Sequence, residues 1–235
     1  MESAFEAIVL AGGFGTRLAG RLAGVPKPMA PVAGRPFLEI LLLQLRRAGC
    51  ARIILSVGHL HQVIQNHFGA EFEGMRVDYA IEAAPLGTGG ALRAALALAS
   101  DEAVLAMNGD TYQQMDYADL MRFHKAEGAA ATIVVAHQDD VARYGGVRVE
   151  QERVVAFEEK GRAGPGWINA GAYVLDRNLE WPARLSEKFS METDFFAREL
   201  ERLRPAAYEM RGYFLDIGVP EDLDRAQREL AGFAG

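Results

Sequence analysis

The stretch IVLAGGFGTRL, residues 8 to 18, runs from apolar side chains into Gly12, Gly13 and Gly15 and then directly into Thr16 and Arg17. Glycines let a backbone approach an oxygen-rich ligand, and successive free N–H groups form a nest for an anion. Arg17, and Lys27 ten positions further on in VPKPMAPV, set two cations beside that nest, and Pro26 and Pro28 stiffen the chain around the lysine. A tight turn needs no such charges, whereas a phosphate does. The spacing is not the dinucleotide fingerprint, because Leu18 stands where a third glycine would be, nor a P-loop, which requires Gly-Lys-Ser/Thr.

Carboxylates supply the second half of the chemistry. Asp110 in MNGDT directly follows an apolar run, and Asp216 in YFLDIGVPED ends another. Read alone, an Asp at such a place serves equally well as a turn or helix cap. Together with phosphate oxygens, however, one or two carboxylates make the shell that Mg²⁺ commonly takes. The five histidines lie away from these motifs, with His59 and His61 read as solvated loop or helix-start residues. Cys50 is the one cysteine, a small core residue by this reading, which excludes an internal disulfide framework and a multi-cysteine metal site.

The elements that must hold these residues follow from periodicity. Short β-branched runs at Ala7–Ala11, Ile53–Val57, Val77–Ile81 and Val104–Met107 alternate with helical stripes at Phe37–Ala48, His61–Phe68 and Ala91–Ala99. That alternation predicts an α/β chain, a Rossmann-like mixed, mostly parallel sheet flanked by helices. Three loops, GGFGTRL, APLGTGGA and NGD, then fall at the carboxyl ends of strands, where open parallel sheets bind ligands. After Gly128 the pattern becomes β-rich, with ATIVVA, YGGVRVE, RVVAFEE and INAGAYVL extending the sheet by antiparallel or mixed strands. SMETDFFARELERL returns to helix, and Pro220 sits at a first helical position with Glu221 and Asp222 behind it.

Bulk properties narrow the function classes. With 235 residues, half of them apolar and 24% charged, the chain is read as one domain over 1-235, its two halves meeting at about residue 115. The net charge of -7 argues against a footprint for nucleic acid or an anionic membrane, while leaving room for a local anion pocket. No charged start precedes a long apolar run, and none approaches the ~20 residues of a membrane helix, so a cytoplasmic protein is expected. Monomer and homodimer are equally compatible with the sequence.

LAGGFGTRL followed by PKPM, PLGTGGAL, NGD, FEEK, INAG and DIGVPED resembles the sugar-1-phosphate nucleotidylyltransferases, from residue 6 to residue 230. Within that family, the short form with KPMAPV and EAAPLGTGG is most similar to the D-glycero-α-D-manno-heptose 1-phosphate guanylyltransferases. The resemblance implies a Mg²⁺-dependent reaction of a nucleoside triphosphate, GTP in that branch, with a sugar 1-phosphate. It places Leu10, Ala11, Gly12, Gly13, Gly15 and Thr16 on the nucleotide, Arg17 on the transferring and leaving phosphates, and Lys27 on the α-phosphate and sugar phosphate. Glu82, Pro85, Gly87 and Thr88 would face the base, Asn108 and Gly109 the ribose and sugar. Asp110 and Asp216 would hold the metal. Gly146, Glu159, Lys160 and Asn169 match the sugar side, with Lys160 on the acceptor phosphate.

A carboxylate at Glu82 could accept hydrogen bonds from both N1–H and the 2-amino group of guanine, which uracil lacks, so GTP is expected. Other readings of the same residues are a mannose 1-phosphate guanylyltransferase, a uridylyltransferase acting on an amino-sugar 1-phosphate such as N-acetylmuramic acid 1-phosphate, and a nucleotide-sugar sensor without turnover. The full set of Arg17, Lys27, Asp110 and Asp216 counts against the sensor, and NGD in place of Asp-x-Asp counts against a metal-dependent glycosyltransferase.

Overall fold

Ala7, Ile8 and Val9 are all inaccessible to solvent, as befits a strand covered on both faces. In the computed structural model, which describes residues 4–13, 15, 18, 20–22 and 24–232, this run is β1 (Phe5–Leu10). A 3-10 turn at Lys27–Met29 leads to a hairpin of β2 (Pro31–Val32) and β3 (Arg35–Pro36), then α1 (Phe37–Arg47), β4 (Cys50–Val57) and α2 (His61–Phe68). There follow β5 (Glu71–Phe72), β6 (Met75–Ile81), α3 (Gly87–Leu96), β7 (Ala103–Asn108), β8 (Thr111–Gln113) and α4 (Tyr117–Glu127). The later part comprises β9 (Ala131–Gln138), β10 (Val147–Glu150), β11 (Arg153–Phe157) and β12 (Gly166–Asp176). A π-helical turn at Met191–Phe196 runs into α5 (Ala197–Leu203), before β13 (Ala206–Met210), β14 (Phe214–Asp216) and α6 (Pro220–Glu229).

Among the described residues the main sheet has ten strands in the order β10-β11-β13-β9-β12-β7-β1-β4-β6-β5. From β7 through β1 and β4 to β6 the pairing is parallel; β12 runs antiparallel to both of its neighbours, β7 and β9. Strand period splits the core into two layers. Val9 and Leu55 point to one face with Leu38, Leu41, Leu42 and Leu45 of α1, whereas Ile8 and Ile54 point to the other with Leu92, Ala95 and Leu96 of α3. Each fully buried leucine of α1 contributes about 1.5–3 kcal/mol. Gly49, at φ +90, follows the end of α1 and donates its N–H to the Arg46 carbonyl, 3.0 Å away, as a terminating glycine does.

Two expectations need correcting. PLGTGG is not an extended loop before a helix at Ala91: α3 already begins at Gly87. A Cβ on Gly89 would lie 2.2 Å from the Phe189 ring, and one on Gly90 would lie 2.2 Å from the Glu187 carbonyl oxygen, so these glycines let the helix dock closely against residues 187–189. The β-rich stretch after NGD is also preceded by a helix not anticipated, α4. Asp116 caps it by accepting the Asp119 N–H at 2.9 Å, and Gly128 ends it at φ +56. Its buried stripe of Tyr117, Leu120 and His124 is too sparse to stand out as a pattern.

The last helix returns to the start of the chain. Gln227 of α6 accepts the Ala33 N–H at 2.9 Å and donates to the Pro31 carbonyl, and Asp224 pairs with Arg21 at 2.5 Å. Among the described residues no helix is long and apolar enough to cross a membrane.

Candidate active site

Two neighbouring strands deliver the first acid. Leu10 of β1 lies beside Asn108 of β7 in parallel register, and the Gly109 N–H donates to the Leu10 carbonyl at 2.8 Å. A Cβ at 109 would sit 2.8 Å from that same oxygen, so glycine is what lets the chain turn against β1 and present Asp110 at the carboxyl edge. A two-stranded ladder brings the second acid alongside. Asp216 of β14 is registered with Thr111 of β8, and the Ile217 N–H donates to the Asp110 carbonyl at 3.0 Å.

Lys27 joins them. The 3-10 turn aims its side chain, only 10% exposed, so that Nζ lies 2.6 Å from Asp110 Oδ2 and 3.9 Å from Asp216 Oδ1. Gly15, at φ +59, rests on the lysine stem: a Cβ there would lie 2.8 Å from Lys27 Cβ. Arg143 approaches from the far side, with Nη2 3.6 Å from Asp216 Oδ2 while Nη1 pairs with Asp222. Burial pushes the Asp216 carboxyl above the usual range, and the charge of Asp110 adds to the shift, although Lys27, Arg143 and the Gly218 amide pull the other way. Among the described residues, three carboxylates here face two cations.

A cavity of about 320 Å³ opens beside this cluster, and Gly12, Gly13, Lys27, Glu82, Asn108 and Asp110 are among its lining residues, with Leu10, Pro85, Gly87 and Thr88 completing the nucleotide-side positions. Glu82 is part wall and part brace. Its Oε2 accepts the Leu86 N–H at 3.0 Å, Ser56 Oγ donates to Oε1 at 3.4 Å, and a Cβ on Gly12 would fall 2.5 Å from that oxygen. Only glycine at position 12 leaves the carboxylate room.

Other predicted positions are distributed differently. Ala11 is buried behind the cavity, its N–H given to the Ser56 carbonyl at 2.7 Å. Thr88 lines the cavity, but its hydroxyl is spent on Glu192 and the Met191 amide, both at 2.9 Å. Asn169 lies on β12 with its amide bonded to Tyr173 and Gly171. Glu159 and Lys160 are exposed just beyond β11, and neither they nor Gly146 line the 320 Å³ cavity. It is Glu158 whose carboxylate faces Gly146, 2.6 Å from where a Cβ would be. Thr16 and Arg17 lie outside the described residues.

Sequence reasoning passed over Arg143, Asp222, Ser56 and Glu192. Asp222 was visible as a first-turn acid of α6, but its partner Arg143 carries no local signal, because it meets Asp216 and Asp222 only through the fold.

An electropositive lysine between two carboxylates, at the mouth of a glycine-walled cavity on the carboxyl edge of a parallel sheet, suits nucleotide phosphate chemistry. The chain belongs to the nucleotidyl transferase family, whose model matches residues 6–232. It is 39% identical over 225 residues to the D-glycero-alpha-D-manno-heptose 1-phosphate guanylyltransferase of Aneurinibacillus thermoaerophilus, covering 96% of this chain and 98% of that one. With the enzyme of the same name from Campylobacter jejuni the identity is 40% over 218 residues, 92% and 96% of the two chains. The crystal structure of HddC from Yersinia pseudotuberculosis complexed with GMP-PN superposes with a TM-score of 0.83 at 35% identity, over 96% of this chain and 99% of that one. The architecture is thus that of the nucleotide-diphospho-sugar transferases.

Proposed function

We propose that this protein transfers GMP from GTP to D-glycero-α-D-manno-heptose 1-phosphate, releasing pyrophosphate and GDP-heptose. The observation that carries the reading is the Lys27–Asp110–Asp216 cluster beside the cavity walled by Gly12, Gly13 and Glu82. Near-complete alignment with two heptose 1-phosphate guanylyltransferases supports the choice of substrates.

A sugar phosphate oxygen attacks the α-phosphorus of GTP as the bond to pyrophosphate breaks. Both partners are anions, so alignment and charge repulsion are the obstacles. The nucleophile needs no general base, because the second pKa of a phosphate monoester is about 6. Lys27 would donate to the α-phosphate and the incoming phosphate together, its ammonium held in place by Asp110 rather than free to search. Arg17, by the family resemblance, would meet the transferring and leaving phosphates. Glu82 keeps a lone pair on each oxygen for the guanine edge after serving Leu86 and Ser56.

Asp110 and Asp216 fit Mg²⁺: they offer hard carboxylate oxygens that share Lys27 Nζ, and the charge of Asp110 helps to raise the Asp216 carboxyl, a repulsion a divalent cation would relieve. When bound with the triphosphate, the ion would neutralise phosphate charge. A reaction that consumes GTP and a sugar phosphate fits a cytoplasmic enzyme, and we place it there.

A matrix of the four nucleoside triphosphates against heptose, mannose and N-acetylmuramic acid 1-phosphates, with Mg²⁺ or with EDTA, tests the proposal by pyrophosphate release. GTP with the heptose phosphate should be the fastest pair, and EDTA should abolish it. Preference for UTP would overturn the base assignment, preference for mannose 1-phosphate the sugar, and absence of turnover with every pair would leave a sensor.

A further inference from the structure

Helix α3 begins at the wall of the nucleotide cavity, where Thr88 is a lining residue, yet the Thr88 hydroxyl is bonded to a segment far along the chain. Thr88 donates to Glu192 Oε2 and accepts the Met191 N–H, both at 2.9 Å. Glu192 belongs to the π-helical turn, a kind of segment frequent at functional sites. Its Oε2 also takes the Ser190 hydroxyl at 2.7 Å, and its Oε1 takes the Tyr173 hydroxyl at 3.2 Å. Tyr173 is 1% exposed and in turn accepts Asn169 Nδ2 at 2.9 Å. Asn169 Oδ1 is fixed by the Gly171 N–H at 2.9 Å, and among the described residues no hydrogen bond takes up the second amide hydrogen of Asn169.

The backbone around this chain of bonds is built for close contact. Phe189 donates to the Leu86 carbonyl and accepts the Gly89 N–H, both at 3.0 Å, clamping the start of α3 onto the segment that carries Glu192. On β12 the pairing with β9 slips between Asn169 and Tyr173, a bulge of the type that re-aims side chains beside active sites. Gly171, at φ +71, lies so near Asn108 that a Cβ would come within 2.3 Å of its Nδ2. A continuous set of side-chain bonds therefore runs from the wall of the nucleotide cavity to the asparagine on the sugar side.

We propose that Glu192 is a positioning residue that couples the two substrate sites, its carboxylate tying Thr88 on α3 to Asn169 through the buried Tyr173 hydroxyl. The proposal rests on the nucleotidyl transfer reading, in which Asn169 faces the sugar. Occupation of the nucleotide cavity steadies the start of α3, Thr88 steadies Glu192, and the Tyr173 hydroxyl then holds the second Asn169 amide hydrogen toward the sugar phosphate substrate. Coupling of this kind is reciprocal, so the sugar phosphate tightens the nucleotide by the same factor.

The test uses Tyr173→Phe, which removes one oxygen from the middle of the chain and keeps the ring. Sugar 1-phosphate binding is measured calorimetrically with and without a non-hydrolysable triphosphate, using whichever substrate pair the wild type turns over. The wild type should bind the sugar phosphate at least about fivefold more tightly with nucleotide present, the low end of typical coupling. In Tyr173→Phe that factor should fall below about twofold, with KM for the sugar phosphate raised; affinity for the triphosphate alone should be unchanged, while its affinity in the presence of the sugar phosphate should fall by the same factor. Thr88→Val cuts the opposite end. Its effect on sugar phosphate KM should not add to that of Tyr173→Phe, since either break severs the same link. A wild type without coupling, an unchanged factor in Tyr173→Phe, or additive effects in the double variant would overturn the proposal. A wild type that prefers UTP would overturn the base assignment alone, and this test would stand.

Discussion

Two ionic clusters sit at opposite ends of the same parallel strands, and they are built to different ends. At the amino edge, Arg52 of β4 pairs with Glu6 of β1 at 2.7 Å and with Asp78 of β6 at 2.6 Å, while the Ser100 and Asp101 amides also donate to Glu6. Burial works against the Glu6 carboxylate, but those amides and Arg52 together bring it below the usual range. Asp78 likewise overcomes its burial through Arg52 and Arg76 and is lowered. At the carboxyl edge, burial and the neighbouring Asp110 win, and Asp216 is raised. One cluster satisfies its charges within the chain; in the other, among the described residues, carboxylates outnumber cations. The first reads as a fastener, and the second as a site that stays strained until its ligands arrive.

Breaking the fastener should have the largest effect. Arg52→Ala strands the buried Glu6 carboxylate and should cost roughly 3–5 kcal/mol in urea unfolding, the range for removing one partner of a buried pair. Turnover of the folded fraction should not change. Lys27→Ala should do the reverse at the other edge, lowering turnover by at least about 10²-fold, a loss of the size seen when one preorganised charge stabiliser is removed. Circular dichroism should report an intact fold.

Asp216→Asn sharpens the contrast with a smaller effect of opposite sign. The ligand-free variant should be more stable than the wild type at pH 7, each kcal/mol gained raising Tm by about 2–4 °C at this chain length, while turnover falls. The sign follows from linkage. A carboxyl raised in the folded state is favourable below its ordinary value of 3.8, and that benefit is lost as pH rises through the folded value. The gain from Asn should therefore vanish in acid. Glu6 and Asp78 behave oppositely: their contribution is present above the ordinary values of 4.5 and 3.8 and is lost as pH falls through the lowered ones. Melting curves of the wild type, Asp216→Asn and Arg52→Ala across acid pH would separate the two edges.

Much of this was legible in the sequence because the central parallel strands, β1, β4 and β7, carry long apolar runs. The runs around Ile8, Ile54, Val77 and Leu105 mark β1, β4, β6 and β7 to within three residues at each end. Lys27, Asp110 and Asp216 were legible because each stands beside a strand end, proline pair or glycine turn that explains little else. The hairpin of β2 and β3 was not, since two-residue strands have no period to read. GTGG misled because glycine serves close packing as readily as ligand approach, and only the position of Phe189 decides between them. Arg143 and Glu192 depend on partners far away in the chain, a dependence no local pattern carries.

Gln227 and Asp224 of α6 grip Pro31, Ala33 and Arg21, the flanks of the segment that carries Lys27. That stitching ties the segment of Lys27 to a helix that is itself seated in the core by Leu223, Ala226 and the following Leu230. Leu223→Ala, at a position that does not line the cavity, should therefore lower turnover along with stability, because loosening that seat loosens the lysine's support.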